Sequence, residues 1–144
     1  MKIIGLNGWT ERGHDGGATL IEDGKLIFSV EEEKLICKRH AYDKLPLRSI
    51  EETLKFSGLR LDDIDKFYIG WDYESLYKML GKKFITKSEM AKKILGNSKY
   101  GSKINYVNHH LAHAYSAFIP SNYNESLVLV IDGQGEYIGT SLYS

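Results

Sequence analysis

Three of the five histidines in this 144-residue chain fall within five positions, in Asn108-His-His-Leu-Ala-His113. His109 and His113 are four apart, a spacing that on a helix stacks both imidazoles on one face. Nineteen residues after His113, the turn Asp132-Gly-Gln-Gly-Glu136 places a carboxylate directly behind the apolar run Leu127–Ile131. Two imidazoles and a carboxylate suit zinc or ferrous iron, with coordination positions left open for a substrate oxygen. The run before Asp132 reads as a buried strand leaving its sheet. Gly133 and Gly135 would let the backbone approach a ligand closely or adopt positive φ. The plainer alternatives are a surface histidine pair and an ordinary hairpin turn.

A second place for chemistry is the loop Gly8-Trp-Thr-Glu-Arg-Gly-His-Asp-Gly-Gly17, with four glycines and His14. At the end of a strand, such a loop can present backbone N–H groups to a ligand. His14 would be accessible there, whereas a core histidine usually lies in an apolar stripe.

The elements that must position these residues follow from periodicity and turn chemistry. Lys2–Asn7, Ala18–Glu22 and Lys25–Glu31 predict a β-meander, the last two strands joined by the hairpin signal Asp23-Gly24. Pro46 opens a helix with an apolar stripe through Leu47, Ile50 and Leu54, and Gly58 stands where a C-terminal cap is expected. A turn over Leu61–Asp65 leads to a strand over Lys66–Trp71. Residues 74–100 predict one or two lysine-rich helices without a clean stripe. Ile104–Val107 is a strand, Asn108 an N-cap, His109–Phe118 the histidine helix, and Leu127–Ile131 and Tyr137–Leu142 the final strands. The order β-β-β-α-β-α-β-α-β-β predicts a mixed α/β (α+β) fold. Its mixed sheet begins with an antiparallel meander and carries helices on its faces.

Nineteen basic and nineteen acidic side chains cancel, so no global field recruits nucleic acid or a membrane. The lysines between residues 78 and 103 read as a solvated helical face. Cys37 is the single cysteine, so no intrachain disulfide forms and a reducing compartment fits. Neither the short apolar run after Met1 nor any other segment has the length of a secretory h-region or a membrane span, and the expectation is one soluble, cytoplasmic domain without a leader. The chain stops at its last predicted strand without a covering helix, which suggests a piece of a longer polypeptide. The open edge at Tyr137–Leu142 could pair with a second copy in a homodimer.

Several motifs in order carry a resemblance. They are Ile4-Gly-Leu-Asn7, Gly13-His-Asp-Gly-Gly-Ala18, Glu31-Glu-Glu-Lys34 with Lys38-Arg39-His40, and Leu45-Pro46, followed by Gly58-Leu-Arg-Leu-Asp-Asp-Ile-Asp65, His109-His-Leu-Ala-His113 and Asp132-Gly-Gln-Gly-Glu136. Together the chain resembles the N-terminal domain of the O-carbamoyltransferases that modify nodulation factors and antibiotics, apart from a variable lysine-rich insert at about 72–103.

The resemblance implies a ribonuclease-H-like, actin-like ATPase lobe, related to the threonylcarbamoyl-transferring tRNA-modification enzymes. It implies ATP and carbamoyl phosphate as co-substrates and a carbamoyl-adenylate intermediate. It also implies a divalent metal (iron or zinc) and a small-molecule acceptor with a hydroxyl, sugar-like or antibiotic-like. By motif position, His109, His113 and Asp132 are metal ligands and His14 is the catalytic histidine. Lys38 or Arg39, with Gly133 and Gly135, would bind substrate and phosphate. A C-terminal lobe, with further ligands, would complete the site, and these 144 residues alone are expected to be inactive. Two other readings stay open: an ATP-dependent kinase or ATPase of the same fold, and a non-catalytic metal- or protein-binding module.

Overall fold

The computed structural model of the chain describes residues 1–11 and 13–144, so Arg12 of the glycine loop lies outside the described residues. The fold divides into two compact units, one of Met1–Ile69 with Ile85–Asn105, the other of Gly70–Phe84 with Tyr106–Ser144.

The first unit is built on a five-stranded sheet of order β3-β2-β1-β4-β5. Its strands are β1 (Lys2–Asn7), β2 (Gly17–Glu22), β3 (Lys25–Glu31), β4 (Lys66–Ile69) and β5 (Ile104–Tyr106). The meander β1–β2–β3 is antiparallel, as the Asp23-Gly24 turn predicts, and β4 lies parallel to β1 with Ile3 opposite Lys66. A parallel neighbour requires a crossover connection, and the chain between β3 and β4 supplies it. Ile4 and Leu6 of β1, Ala18 and Leu20 of β2, and Phe67 and Ile69 of β4 are buried, each pair two residues apart. That period of two sends one set of side chains into the core.

The crossover begins with α1 (Glu32–Ile36), a short helix that no periodicity announced, and continues with α2 (Leu47–Ser57). Gly58 ends α2 in the left-handed conformation expected of it, at φ 68°. The start differs from expectation. Pro46 stands just before the helix and offers no side-chain cap. Glu32 takes that role: its carboxylate, 3% exposed, accepts from the Arg48 N–H (3.1 Å), the Ser49 N–H (2.7 Å) and the Ser49 hydroxyl (2.7 Å). The buried face of α2 therefore runs through Ser49, Ile50 and Thr53, and Leu47 is exposed. Phe56 stacks on Phe28 of β3 at 4.3 Å.

The lysine-rich segment holds a clear stripe after all. In α4 (Lys87–Leu95), Met90, Ala91, Ile94 and Leu95 are buried and Lys92 and Lys93 are exposed. Thr86 and Glu89 form a reciprocal capping box at its start, and Gly96 ends it at φ 75°. Dividing the segment at Gly81 and Thr86 brings the stripe out, because a single window across both helices mixes two phases.

The second unit contains α3 (Tyr73–Met79), α5 (His109–Phe118) and a separate two-stranded antiparallel sheet of β6 (Val128–Ile131) and β7 (Thr140–Tyr143). Tyr73, Phe84 and Tyr106 pack as an aromatic group beside α3. The expectation of a buried strand before Asp132 is not met, since Leu129 and Ile131 are 59% and 74% exposed and only Val130 of β6 is buried. An apolar run cannot distinguish one-sided from two-sided burial. The final strand begins at Thr140 instead of Tyr137, because residues 132–139 close a turn in which the Asp132 N–H donates to Gly139 O at 2.9 Å. Among the described residues, no helix is long and apolar enough to cross a membrane.

Candidate metal centre

Helix α5 starts where the Asn108 spacing predicts. The Asn108 side-chain oxygen accepts the Leu111 N–H at 3.0 Å. A second acceptor comes from Glu136, 1% exposed. Its Oε1 accepts the N–H groups of His109 and Asp72, each at 2.8 Å, and its Oε2 accepts from Asn108 Nδ2 at 2.7 Å. One buried carboxylate thus ties together the first residue of α5, its cap, and the residue that caps α3. A negative charge at a helix N-terminus is also favoured by the helix dipole.

From this start, α5 presents His109 and His113 on one face, and the turn after β6 brings Asp132 to them. His109 Nε2 lies 3.0 Å from Asp132 Oδ2 and 3.1 Å from His113 Nε2, and His113 Nε2 lies 3.6 Å from Asp132 Oδ2. His109 Nδ1 is 2.9 Å from Gly70 O. A carbonyl only accepts, so Nδ1 carries the proton and Nε2 keeps its lone pair. Trp71 stacks on the same ring at 4.1 Å.

His109 Nε2 and the Asp132 carboxylate thus both offer lone pairs, and the Nδ1–H tautomer of His113 adds a third, so a cation placed among them offsets their mutual repulsion. Ligands about 2.0–2.1 Å from one metal ion are about 2.8–3.4 Å apart along octahedral or tetrahedral edges. The His109–Asp132 and His109–His113 separations lie in that range and the His113–Asp132 separation, 3.6 Å, lies just beyond it, so the residues fit a divalent ion. His109 and Asp132 are mostly covered, and His113 is half exposed, which leaves one side accessible.

The electrostatics favour the ligating forms. Burial pushes the Asp132 carboxyl upward, but the Gly133 and Gln134 N–H groups and the two imidazoles outweigh it, leaving the group below the usual carboxylate range. Burial and the neighbouring His109 hold the His113 imidazole below its ordinary value. Deprotonated imidazole and carboxylate are the forms that bind metal.

The glycines of the turn have different surroundings. Gly133 has open space where a Cβ would stand, whereas a Cβ on Gly135 would lie 2.6 Å from His110 Cδ2. Neither has positive φ. His110, fully buried, places Nδ1 2.6 Å from the Ser141 hydroxyl.

His14 belongs to the first unit. Its Nδ1 is 2.8 Å from Asp15 Oδ2, and the other oxygen of the same carboxylate is 2.9 Å from His40 Nδ1. Glu33 accepts the His40 N–H at 2.6 Å and pairs with Lys34. Donor atoms of Asp15, Glu33 and His40 also lie within 4.8 Å of one another, each already engaged in these hydrogen bonds. Lys38 and Arg39 are exposed, and among the described residues their side chains make no hydrogen bond or ion pair. The member of Lys38-Arg39-His40 that meets the His14 loop is His40.

Sequence reasoning singled out His109, His113 and Asp132 but gave no role to Glu136, Trp71 or His40. Glu136 and His40 stand inside the motifs Asp132-Gly-Gln-Gly-Glu136 and Lys38-Arg39-His40, so their positions carry a signal even though their contacts do not.

Comparison with known proteins places the chain in a family. The chain matches the family described as Carbamoyltransferase N-terminus in two overlapping stretches, residues 2–98 and 76–144, and it belongs to that family. It is 39% identical over 137 residues to nodulation protein NolNO of Sinorhizobium fredii, covering 86% of this chain and 20% of that protein. Nodulation protein U of Rhizobium tropici is 44% identical over 75 residues, 51% of this chain and 12% of that protein. An uncharacterized protein of Synechocystis is 29% identical over 175 residues, 99% of this chain and 27% of the relative. The chain thus spans between about an eighth and a quarter of the length of these relatives.

Proposed function

We propose that this chain is the N-terminal lobe of a metal- and ATP-dependent carbamoyltransferase. The enzyme would move a carbamoyl group from carbamoyl phosphate, through a carbamoyl-adenylate, to a hydroxyl of a sugar-like or antibiotic-like small molecule. The observation that carries the reading is the meeting of His109, His113 and Asp132 at 3.0–3.6 Å in a chain of this family. The strand order β3-β2-β1-β4-β5, with β1 antiparallel to β2 and parallel to β4, supports the reading of a ribonuclease-H-like, actin-like lobe.

His109, His113 and Asp132 would hold iron or zinc through Nε2, Nε2 and a carboxylate oxygen. Such an ion supplies positive charge against phosphate oxygens. His14 is assigned the proton. As the acceptor hydroxyl attacks the carbamoyl carbon, the bond from that carbon to the phosphate oxygen breaks and AMP leaves. The hydroxyl proton passes to His14, a contribution of about 10²–10⁴-fold in rate for a well-placed base. Lys38 and Arg39, exposed and without side-chain partners among the described residues, are available cations for carbamoyl or phosphate oxygens. Gly133 and Gly135 would border the bound phosphate through the turn after Asp132.

The test is product formation by the natural full-length protein with ATP, carbamoyl phosphate and candidate acceptors. His14→Ala should lose transfer to the hydroxyl while keeping carbamoyl-phosphate-dependent exchange of pyrophosphate into ATP. Transfer that survives His14→Ala at the wild-type rate would remove the role given to His14. Activity without carbamoyl phosphate would point instead to a kinase or ATPase.

A further inference from the structure

We infer that Asp15 and His40 are positioning residues for His14, the shared carboxylate fixing which nitrogen of the His14 ring is free to take a proton. The inference deepens the reading given above and rests on it for the role of His14.

The Asp15 carboxylate is held from both sides, by His14 Nδ1 on Oδ2 (2.8 Å) and by His40 Nδ1 on Oδ1 (2.9 Å). An ionised carboxylate only accepts, so both rings carry their proton on Nδ1 and both Nε2 atoms are left basic. The same residues are joined along the backbone, where the Asp15 N–H donates to His40 O at 2.7 Å. The Asn7 side chain donates to the His14 and Asp15 carbonyls, at 3.3 and 3.0 Å, and so ties the loop to the end of β1. His40 is fixed in turn by Glu33, which accepts its N–H at 2.6 Å. Asp15 and His40 both adopt positive φ, 51° and 60°. The hydrogen bonds around them offset that conformation.

When His14 takes a proton on Nε2, it becomes an imidazolium with its Nδ1–H still on Asp15. The carboxylate then stabilises the charge that has just formed, the arrangement by which a buried aspartate supports histidine in hydrolytic triads. His40 keeps Asp15 from rotating away from the ring. Among the described residues, the charged and titratable groups near the pair include Glu33 on the His40 side, Lys34 bound to Glu33, Asp43, whose N–H donates to Gly13 O at 2.8 Å, and the Tyr42 ring at 5.9 Å from His14 and 5.4 Å from His40. Lys38 and Arg39 flank His40 in sequence.

Substitutions at left-handed positions need residues that tolerate them, and glycine and asparagine do. Asp15→Gly removes the carboxylate, His40→Gly removes the second grip, and His40→Asn restores an amide N–H near the place of Nδ1. The first readout is the histidine tautomer, by nitrogen NMR of the protein labelled with 15N-histidine. His14 should be an Nδ1–H tautomer in wild type and in His40→Asn. It should shift toward Nε2–H in Asp15→Gly, and partly so in His40→Gly.

The second readout is acceptor transfer by the full-length protein. Asp15→Gly should lose on the order of 10–100-fold in kcat, below the full contribution of a general base. It should also move the acid limb of the rate profile to lower pH, because an opposite charge no longer favours the imidazolium. His40→Gly should fall between Asp15→Gly and wild type, and His40→Asn should recover. An unchanged His14 tautomer in Asp15→Gly, or wild-type transfer in His40→Gly, would overturn the inference. Transfer that persists in His14→Ala, with the tautomer changes as expected, would leave the positioning role standing and remove the base assignment.

Discussion

Glu136 holds the backbone of His109: its Oε1 accepts the His109 N–H at 2.8 Å, from a side chain that is 1% exposed. The carboxylate of the Asp-Gly-x-Gly-Glu turn thus sets the start of the helix that carries both imidazoles, while Asp132 at the head of the same turn meets their rings. Glu136→Ala would strand three donors, the N–H groups of Asp72 and His109 and the Asn108 amide. Each buried donor left unpaired costs about 1–3 kcal/mol, and a loss of about 3–5 kcal/mol is expected after relaxation. Glu136→Gln should lose less, keeping an acceptor oxygen for the two N–H groups. Chemical denaturation of the three proteins checks the order.

Metal binding should follow the geometry of the site. His109→Ala, His113→Ala and Asp132→Asn should each weaken zinc or ferrous-iron binding by at least about tenfold, since each removes one of three ligands. Tyr115→Phe, an exposed position on α5, should not. Where the ion binds, saturation at 100 times its Kd should raise unfolding stability by about 2.7 kcal/mol. Equal metal content in all four proteins would remove the site.

The two glycines of the turn should answer alanine differently. A Cβ at Gly135 would stand 2.6 Å from His110 Cδ2 and 2.8 Å from Ile138 O, so Gly135→Ala should cost about 1–3 kcal/mol. Gly133→Ala should stay within about 0.5 kcal/mol, because nothing lies within 4 Å of its Cβ position. Thermal unfolding of both variants tests the contrast.

In the first unit, Glu32 is the counterpart of Glu136, a buried carboxylate capping the start of α2. Glu32→Ala should cost about 2–4 kcal/mol by leaving the Arg48 and Ser49 donors unpaired. Ser49→Ala, which removes one of the three hydrogen bonds, should cost about 1 kcal/mol. Urea unfolding midpoints decide between them.

Asp15 makes stability depend on pH in the acid range. The His40 and His14 hydrogen bonds lower its carboxyl pKa below the ordinary 3.8. A group lowered in the folded state stabilises it above the unfolded value, and that contribution is lost as pH falls from 3.8 through the folded value. The carboxylate is half exposed, so the effect is small. Asp15→Asn should flatten the fall of the urea midpoint below that pH, and an unchanged slope would count against it.

Local chemistry was legible where one residue decides it. Asn108 as a cap, Gly58 as a helix end and Asp23-Gly24 as a hairpin follow from side-chain or backbone properties that need no partner. The pairing of His109 with His113 needs only the helical repeat. The surroundings of β6 were not legible, because Leu127–Ile131 is equally apolar whether one face or two are covered, and here Leu129 and Ile131 face outward. Glu136 and Glu32 look like surface acids in sequence. Their burial depends on helix N-termini that the fold brings to them. In Lys38-Arg39-His40 the sequence makes the two formal charges visible, but the carboxylate that His40 shares with His14 appears only in the fold.

The oxygen that orients the His109 ring belongs to the peptide of Gly70. No exchange of one amino acid for another can delete a carbonyl, so this anchor survives any point mutation at position 70 that leaves the chain path intact. The ring's free nitrogen is thereby inherited through the trace of the main chain, and sequence drift around the site can alter its polarity and shape without turning the imidazole round.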